Sequence, residues 1–168
     1  MRKFYLICCF FVISSSCFSQ HQPISKKDFS IGAGASLAIP ARNLAVNSIG
    51  GGLDILGQYV LSEQLVVTAD VGVTALAARF NLPTSAVIPI RLGLRYFPVP
   101  NAYVSGKAGM AIFALGDVVS ETYAAWALGA GYVVSKRVDI AGAFEGFAKK
   151  STDFGYVTLR LGYTFGKE

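Results

Sequence analysis

Leu65-Val66-Val67-Thr68-Ala69-Asp70-Val71-Gly72-Val73-Thr74 is the stretch that decides the fold. Leu65, Val67, Ala69, Val71 and Val73 share one parity, while Thr68, Asp70, Gly72 and Thr74 share the other. A period of two is the signature of a two-faced β-strand. Segments of this kind, about ten residues long as membrane-crossing strands are, recur eight times from Phe29 to Phe165. The expected strands are Phe29–Ile39, Ile49–Val60, Leu65–Thr74, Ala86–Phe97, Ala102–Ile112, Tyr123–Val134, Val138–Phe147 and Phe154–Phe165.

The charges sort by parity. On one face of these segments there is no Asp, Glu, Lys or Arg. On the other sit Asp54, Asp70, Arg91, Arg95, Lys107, Asp139, Glu145 and Arg160. A face without charge on every strand is a face that does not meet water, so the charged face is the interior. That inversion predicts an all-β fold: an eight-stranded antiparallel up-and-down transmembrane β-barrel with lipid outside and a polar lumen. Connections alternate between longer loops and tight turns, as they do in outer-membrane barrels. Tyr59, Tyr96, Tyr132 and Tyr163 lie near the ends of the even strands on the outward face and read as an aromatic girdle at one interface. Pro89 falls inside strand four and lacks a donor for the ladder, which predicts a bulge or an irregular start there.

Composition agrees. The chain has 168 residues, 53% hydrophobic and only 15% charged. After the first twenty residues no uncharged apolar run reaches the ~18 residues a membrane helix needs. A closed sheet resolves this, because it satisfies its backbone polar groups internally.

The N-terminus reads as a signal peptide over 1–19: Arg2-Lys3, the apolar stretch Phe4–Ile13, then small residues before a cut after Ser19. Lipidation at Cys17 is the competing reading. A periplasmic leader (20–28) and the barrel domain (29–168) follow. All three cysteines, Cys8, Cys9 and Cys17, lie in the signal, so the mature chain has no disulfide, thiolate nucleophile or cysteine metal site. Losing Arg2 and Lys3 leaves 13 basic residues against 10 acidic, a net charge of +3. The basic residues form no stripe, which argues against nucleic-acid binding.

Two stretches carry a resemblance. Ile88-Pro89-Ile90-Arg91-Leu92-Gly93-Leu94-Arg95-Tyr96-Phe97 with Ala102-Tyr103-Val104, and the closing Leu159-Arg160-Leu161-Gly162-Tyr163-Thr164-Phe165, resemble small outer-membrane β-barrel proteins common in Bacteroidota. These group with the OmpA/OmpX-type eight-stranded domains. The resemblance implies residence in the bacterial outer membrane and no catalytic residue. It also implies a C-terminal aromatic strand recognised by the barrel-assembly machinery, a position that Phe165 matches.

The eight inward charges balance in sign. Unpaired charges in a narrow lumen are costly, so they read as an ion-paired network that closes the barrel, or alternatively as the lining of a narrow gated path for ions or small solutes. An enzyme is not expected: a nucleophile-plus-base scheme needs a base, and the only histidine, His21, lies in the leader. Ser36, Ser85, Ser105 and Ser120 read as ordinary lumen or loop residues. No catalytic, cofactor or metal site is assigned. Expected partners are outer-membrane lipids, lipopolysaccharide (whose phosphates Lys149-Lys150 could touch) and the assembly machinery. The expected role is structural or interactive. A narrow pore, an accessory barrel of a secretion or envelope-assembly system, and a soluble lipocalin-like carrier with the faces exchanged are the competing readings.

Overall fold

The structure, a computed structural model, describes residues 29–42, 47–78, 85–115, 119–150 and 152–165. The stretch 1–28, expected to be a signal peptide and leader and holding His21 and the three cysteines, and the tail 166–168 lie outside the described residues, as do 43–46, 79–84, 116–118 and Ser151.

Eight strands follow one another: β1 (Phe29–Arg42), β2 (Asn47–Val60), β3 (Leu65–Ala78), β4 (Ser85–Val99), β5 (Ala102–Leu115), β6 (Val119–Ser135), β7 (Val138–Lys149) and β8 (Thr152–Phe165). Each pairs antiparallel with the next, and β8 closes on β1, giving a barrel without an edge. The strand cores fall where the alternation places them. The differences lie mainly at the loop side: β3 runs on to Ala78 instead of stopping at Thr74, β5 to Leu115, and β6 starts at Val119 rather than Tyr123. There the apolar beat fades into Ala75, Ala77, Ser120 and Thr122, yet the backbone ladder continues because each strand has a partner to bond.

The stagger follows from the register. Paired residues lead once round the barrel from Ser30 through Gln58, Thr68, Gly93, Lys107, Ala127, Glu145 and Tyr156 and return to β1 at Pro40, ten residues on. Eight strands with that stagger tilt by about 40°. The outward stretch Val157–Phe165 of β8 then rises roughly 23 Å at about 3.3 Å per residue, close to the apolar band about 25 Å tall of membrane barrels.

Pro89 makes no bulge. Pairing of β3 with β4 lapses between Val71↔Ile90 and Thr74↔Val87 and resumes in the same register, while β4 and β5 pair continuously through Pro89↔Ala111. A missing donor removes a bond but adds no residue, and a bulge needs an extra residue. The irregularity is a gap in one ladder.

The faces divide as the charges do. Leu92 is 67% exposed and its neighbour Arg91 6%. Leu53, Ile55, Leu128, Leu159 and Leu161 stand exposed on the outside, and Asp70, Arg95 and Asp139 are buried inside. A continuous apolar surface of this extent far exceeds what soluble monomers expose, so the exchanged-face carrier is the wrong arrangement.

Candidate functional site

All eight sequence-identified charges project into the lumen, where they form two groups of four, each with two cations and two anions. In the first, Asp70 and Arg91 are directly paired across β3 and β4. Arg91 donates to Asp70 Oδ2 from Nε at 3.0 Å and from Nη2 at 2.8 Å, and its Nη1 reaches across the barrel to Glu145 of β7. Lys107 Nζ stands 2.9 Å from Asp70 Oδ1, and Thr158 Oγ1 donates to Glu145 Oε1 at 3.2 Å. Asp70 thus takes two cations, and Arg91 ties β3, β4 and β7 together.

In the second group Arg160 grips Asp54 with two donors, Nε to Oδ1 at 2.9 Å and Nη2 to Oδ2 at 2.7 Å. Its Nη1 reaches Asp139 at 3.4 Å. Asp139 also accepts from the Tyr103 hydroxyl at 2.7 Å and lies 3.7 Å from Arg95 Nη2. Arg95 donates to Gln58 at 3.1 Å and lies over the Tyr103 ring, 4.5 Å from its centroid. Gln58 in turn donates to Thr164 at 3.3 Å. The Arg160–Asp54 and Arg95–Asp139 contacts join strands that are not ladder neighbours. The forked, charge-assisted Arg160–Asp54 contact is the strong kind and acts as a staple across the cylinder, while Arg95–Asp139 is an ion pair at longer range.

Glycines make the space. A Cβ on Gly34 would lie 2.5 Å from Arg160 Nε, one on Gly162 would strike Arg160 and Asp139, and one on Gly131 would strike the Tyr103 ring. Tyr103 and Gly131 are directly paired, so the ring lies flat over a residue without a side chain.

The lumen is not polar throughout, contrary to the simple inversion. Apolar groups close it on both sides of the charged band. On the loop side Ala38, Leu76, Val87, Ala111, Ala125, Phe147, Phe154 and Tyr156 form a buried cluster, with Phe113 and Tyr123 packed against it. Phe147 and Phe154 stack at 5.0 Å, and Phe113 meets Phe154 edge-on at 5.3 Å. On the turn side Val60, Val66, Phe97 and Tyr103 form a second cluster. Leu56, Val60, Val66, Leu76, Val87, Phe97, Phe147 and Phe154 carry this signal in the sequence, on the same parity as the charges. Between the groups the side chains leave a cavity of about 50 Å³, room for a few waters.

Tyr59, Tyr96, Tyr132 and Tyr163 are all exposed on the outer surface, within three residues of their strand ends. Tyr163 packs against Phe165 at 5.2 Å, and Arg137 of the β6–β7 turn donates to its hydroxyl at 3.3 Å. At the loop-side rim Lys149 lies 3.3 Å from Glu121, which also accepts from Tyr123 at 3.0 Å. The Tyr123 hydroxyl and then Lys149 hold the Glu121 carboxyl below the usual carboxylate range. Lys149 is therefore engaged within the barrel, while Lys150 stands exposed with φ 50° in the turn that follows. Among the described residues no three His, Cys, Asp or Glu side chains group as a metal site.

The closed eight-strand barrel has counterparts among solved structures. Ail, the attachment invasion locus protein of Yersinia pestis, aligns over 84% of this chain and 100% of its own at 16% identity, with a TM-score of 0.60. The fold is that of the small outer-membrane β-barrels. The N-terminal β-barrel domain of Pseudomonas aeruginosa OprF aligns over 80% of this chain and 97% of its own (14% identity, TM-score 0.55). Neisserial surface protein A aligns over 82% and 97% (16% identity, TM-score 0.54). No protein-family model and no curated protein matches the chain. At these identities the shared property is the fold: eight strands, closed, without a helix among the described residues.

Proposed function

We propose that the protein is an integral outer-membrane barrel, exported by its N-terminal signal, whose lumen is closed to solutes and whose role is structural or interactive rather than catalytic. The observation that carries this reading is the packed interior: two balanced ion-pair groups held between two apolar clusters, with a cavity of about 50 Å³ among the charged side chains. A conducting path would have to break staples such as Arg160–Asp54 and also part the Phe147–Phe154 stack. Catalysis has no support, because each lumen carboxylate is committed to a cation and the one histidine of the chain stands in the leader.

Placement in the outer membrane rests on the inverted faces and on the tyrosine ring, where amphipathic rings favour an interface. The bacteroidal affiliation rests on the strand-four and closing-strand patterns alone. In this reading outer-membrane lipids and lipopolysaccharide surround the barrel, and Phe165 presents the closing strand to the assembly machinery. Nucleic acid is not a partner.

Two measurements test the proposal. Cell fractionation combined with heat-modifiable gel mobility tests membrane residence and barrel closure together; a soluble, unshifted protein contradicts it. Planar-bilayer recording tests the closed lumen: the expected trace is silent, and large steady openings contradict it in favour of a pore.

A further inference from the structure

We propose that the lumen cavity is a binding site for one small monovalent anion of halide size, held between Arg95 and Lys107. The cavity walls carry four cations, Arg91, Arg95, Lys107 and Arg160, but only two anions, Asp54 and Glu145; Asp70 and Asp139 do not line it. The eight lumen charges balance as a whole, yet the space itself is faced by an excess of positive groups.

The donors on those cations are unequally used. Arg91 and Arg160 spend Nε and both Nη groups on carboxylates. Arg95 and Lys107 do not. Arg95 is 4% exposed, and its Nε has no hydrogen-bond partner. Its Nη1 goes to neutral Gln58, and its Nη2 lies 3.7 Å from Asp139, beyond hydrogen-bond reach. Lys107 is matched to one carboxylate oxygen, on Asp70, although an ammonium carries three donors.

These two cations are diagonal neighbours on β4 and β5. Arg95 pairs with Ser105, and Gly93 with Lys107. The Ser105 side chain also lines the cavity. Buried donors without acceptors are costly, and two cations side by side in a low-dielectric interior repel. Water would satisfy the donors but leave the repulsion. One anion between Arg95 and Lys107 answers both, with Ser105, which lines the same space, as a hydroxyl donor. The excess of cations facing the space favours one negative charge, while a divalent anion would place a second in a lumen whose fixed charges otherwise balance, so the site disfavours it.

The test uses the mature chain refolded in detergent with bromide as the halide. Crystals grown from it should show an anomalous bromine peak between Arg95 and Lys107. A site without that peak, or with peaks only on the protein surface, overturns the proposal. Chain refolded at equal ionic strength in chloride or in gluconate gives a second readout by heat-modifiable mobility. The melting midpoint should be higher in chloride and rise with the logarithm of its concentration, as a native-state ligand requires. Lys107→Met should abolish that dependence. Equal midpoints for the unmodified chain in the two salts overturn the proposal, and the bromide peak decides the matter if Lys107→Met does not fold.

Discussion

The Arg160–Asp54 pair offers the cleanest measurement of what the lumen staples contribute. Both Asp54 oxygens accept from Arg160, at 2.9 Å and 2.7 Å, and the two side chains are 12% and 16% exposed. Arg160→Met removes the guanidinium and leaves the Asp54 carboxylate in the lumen without that cation, while Asp139 keeps Tyr103 and Arg95. Breaking a buried pair from one side costs about 3–5 kcal/mol, and the partial exposure here points to the lower end. A loss of about 3 kcal/mol is a shift of roughly 150-fold in the unfolding equilibrium, since 1.4 kcal/mol is a factor of ten. Adding Asp54→Leu removes the stranded charge. The double variant should recover to within about 1–2 kcal/mol of the original, because replacing a whole pair by apolar groups is often neutral. Urea unfolding of the barrel in lipid vesicles, read by gel mobility for these two variants and for Asp54→Leu alone, closes the double-mutant cycle. A single variant within about 0.5 kcal/mol of the original, the range of an ordinary surface change, would refute the reasoning. It would mean that water already screens the pair.

Other perturbations probe the remaining layers. Gly131→Val forces the Tyr103 ring off its seat; overpacking typically costs about 1–3 kcal/mol, and the Tyr103–Asp139 contact should be lost, seen as a lower melting temperature and a changed tyrosine signal. Leu128→Arg on the outer face should cost about 2–4 kcal/mol in vesicles, the range for a cation near the midplane, whereas Leu128→Gln should cost less. At the rim, the depressed Glu121 carboxyl means that its link to Tyr123 and Lys149 is complete above the ordinary carboxylate range and fades as pH falls through the lowered value. Tyr123 ring resonances should shift over that acid window, and Glu121→Gln should remove the shift.

Much of this architecture is legible in parity alone. Asp70 opposite Val71 and Arg91 beside Leu92 already sort inside from outside, because successive side chains of a strand alternate faces. What parity does not contain is pairing. Arg91 meets Glu145 across the lumen, and Arg160 reaches Asp54 two strands away as well as Asp139 on the adjacent strand. Those choices depend on the stagger of ten residues and on the reach of an arginine over glycines, neither of which is local. The apolar ends of the lumen were written in the sequence at Leu76, Val87, Phe147 and Phe154, but charge was the louder signal on that face. The loop-side strand extensions carry Ala, Ser and Thr where a membrane-facing strand carries Leu and Ile, so hydrophobic alternation is silent there and only the partner strand specifies them. Pro89 shows the same limit: the sequence marks the missing donor, and the three-dimensional ladder decides that the register survives it.

Spin labels at Leu92, Leu159, Arg91 and Arg160 test the central assignment most directly. In refolded vesicles the labels at Leu92 and Leu159 should collide with dissolved oxygen and be shielded from a water-soluble nickel chelate, while labels at Arg91 and Arg160 should be shielded from both. Chelate access at Leu92 and Leu159 would place the charge-free face in water and contradict the account.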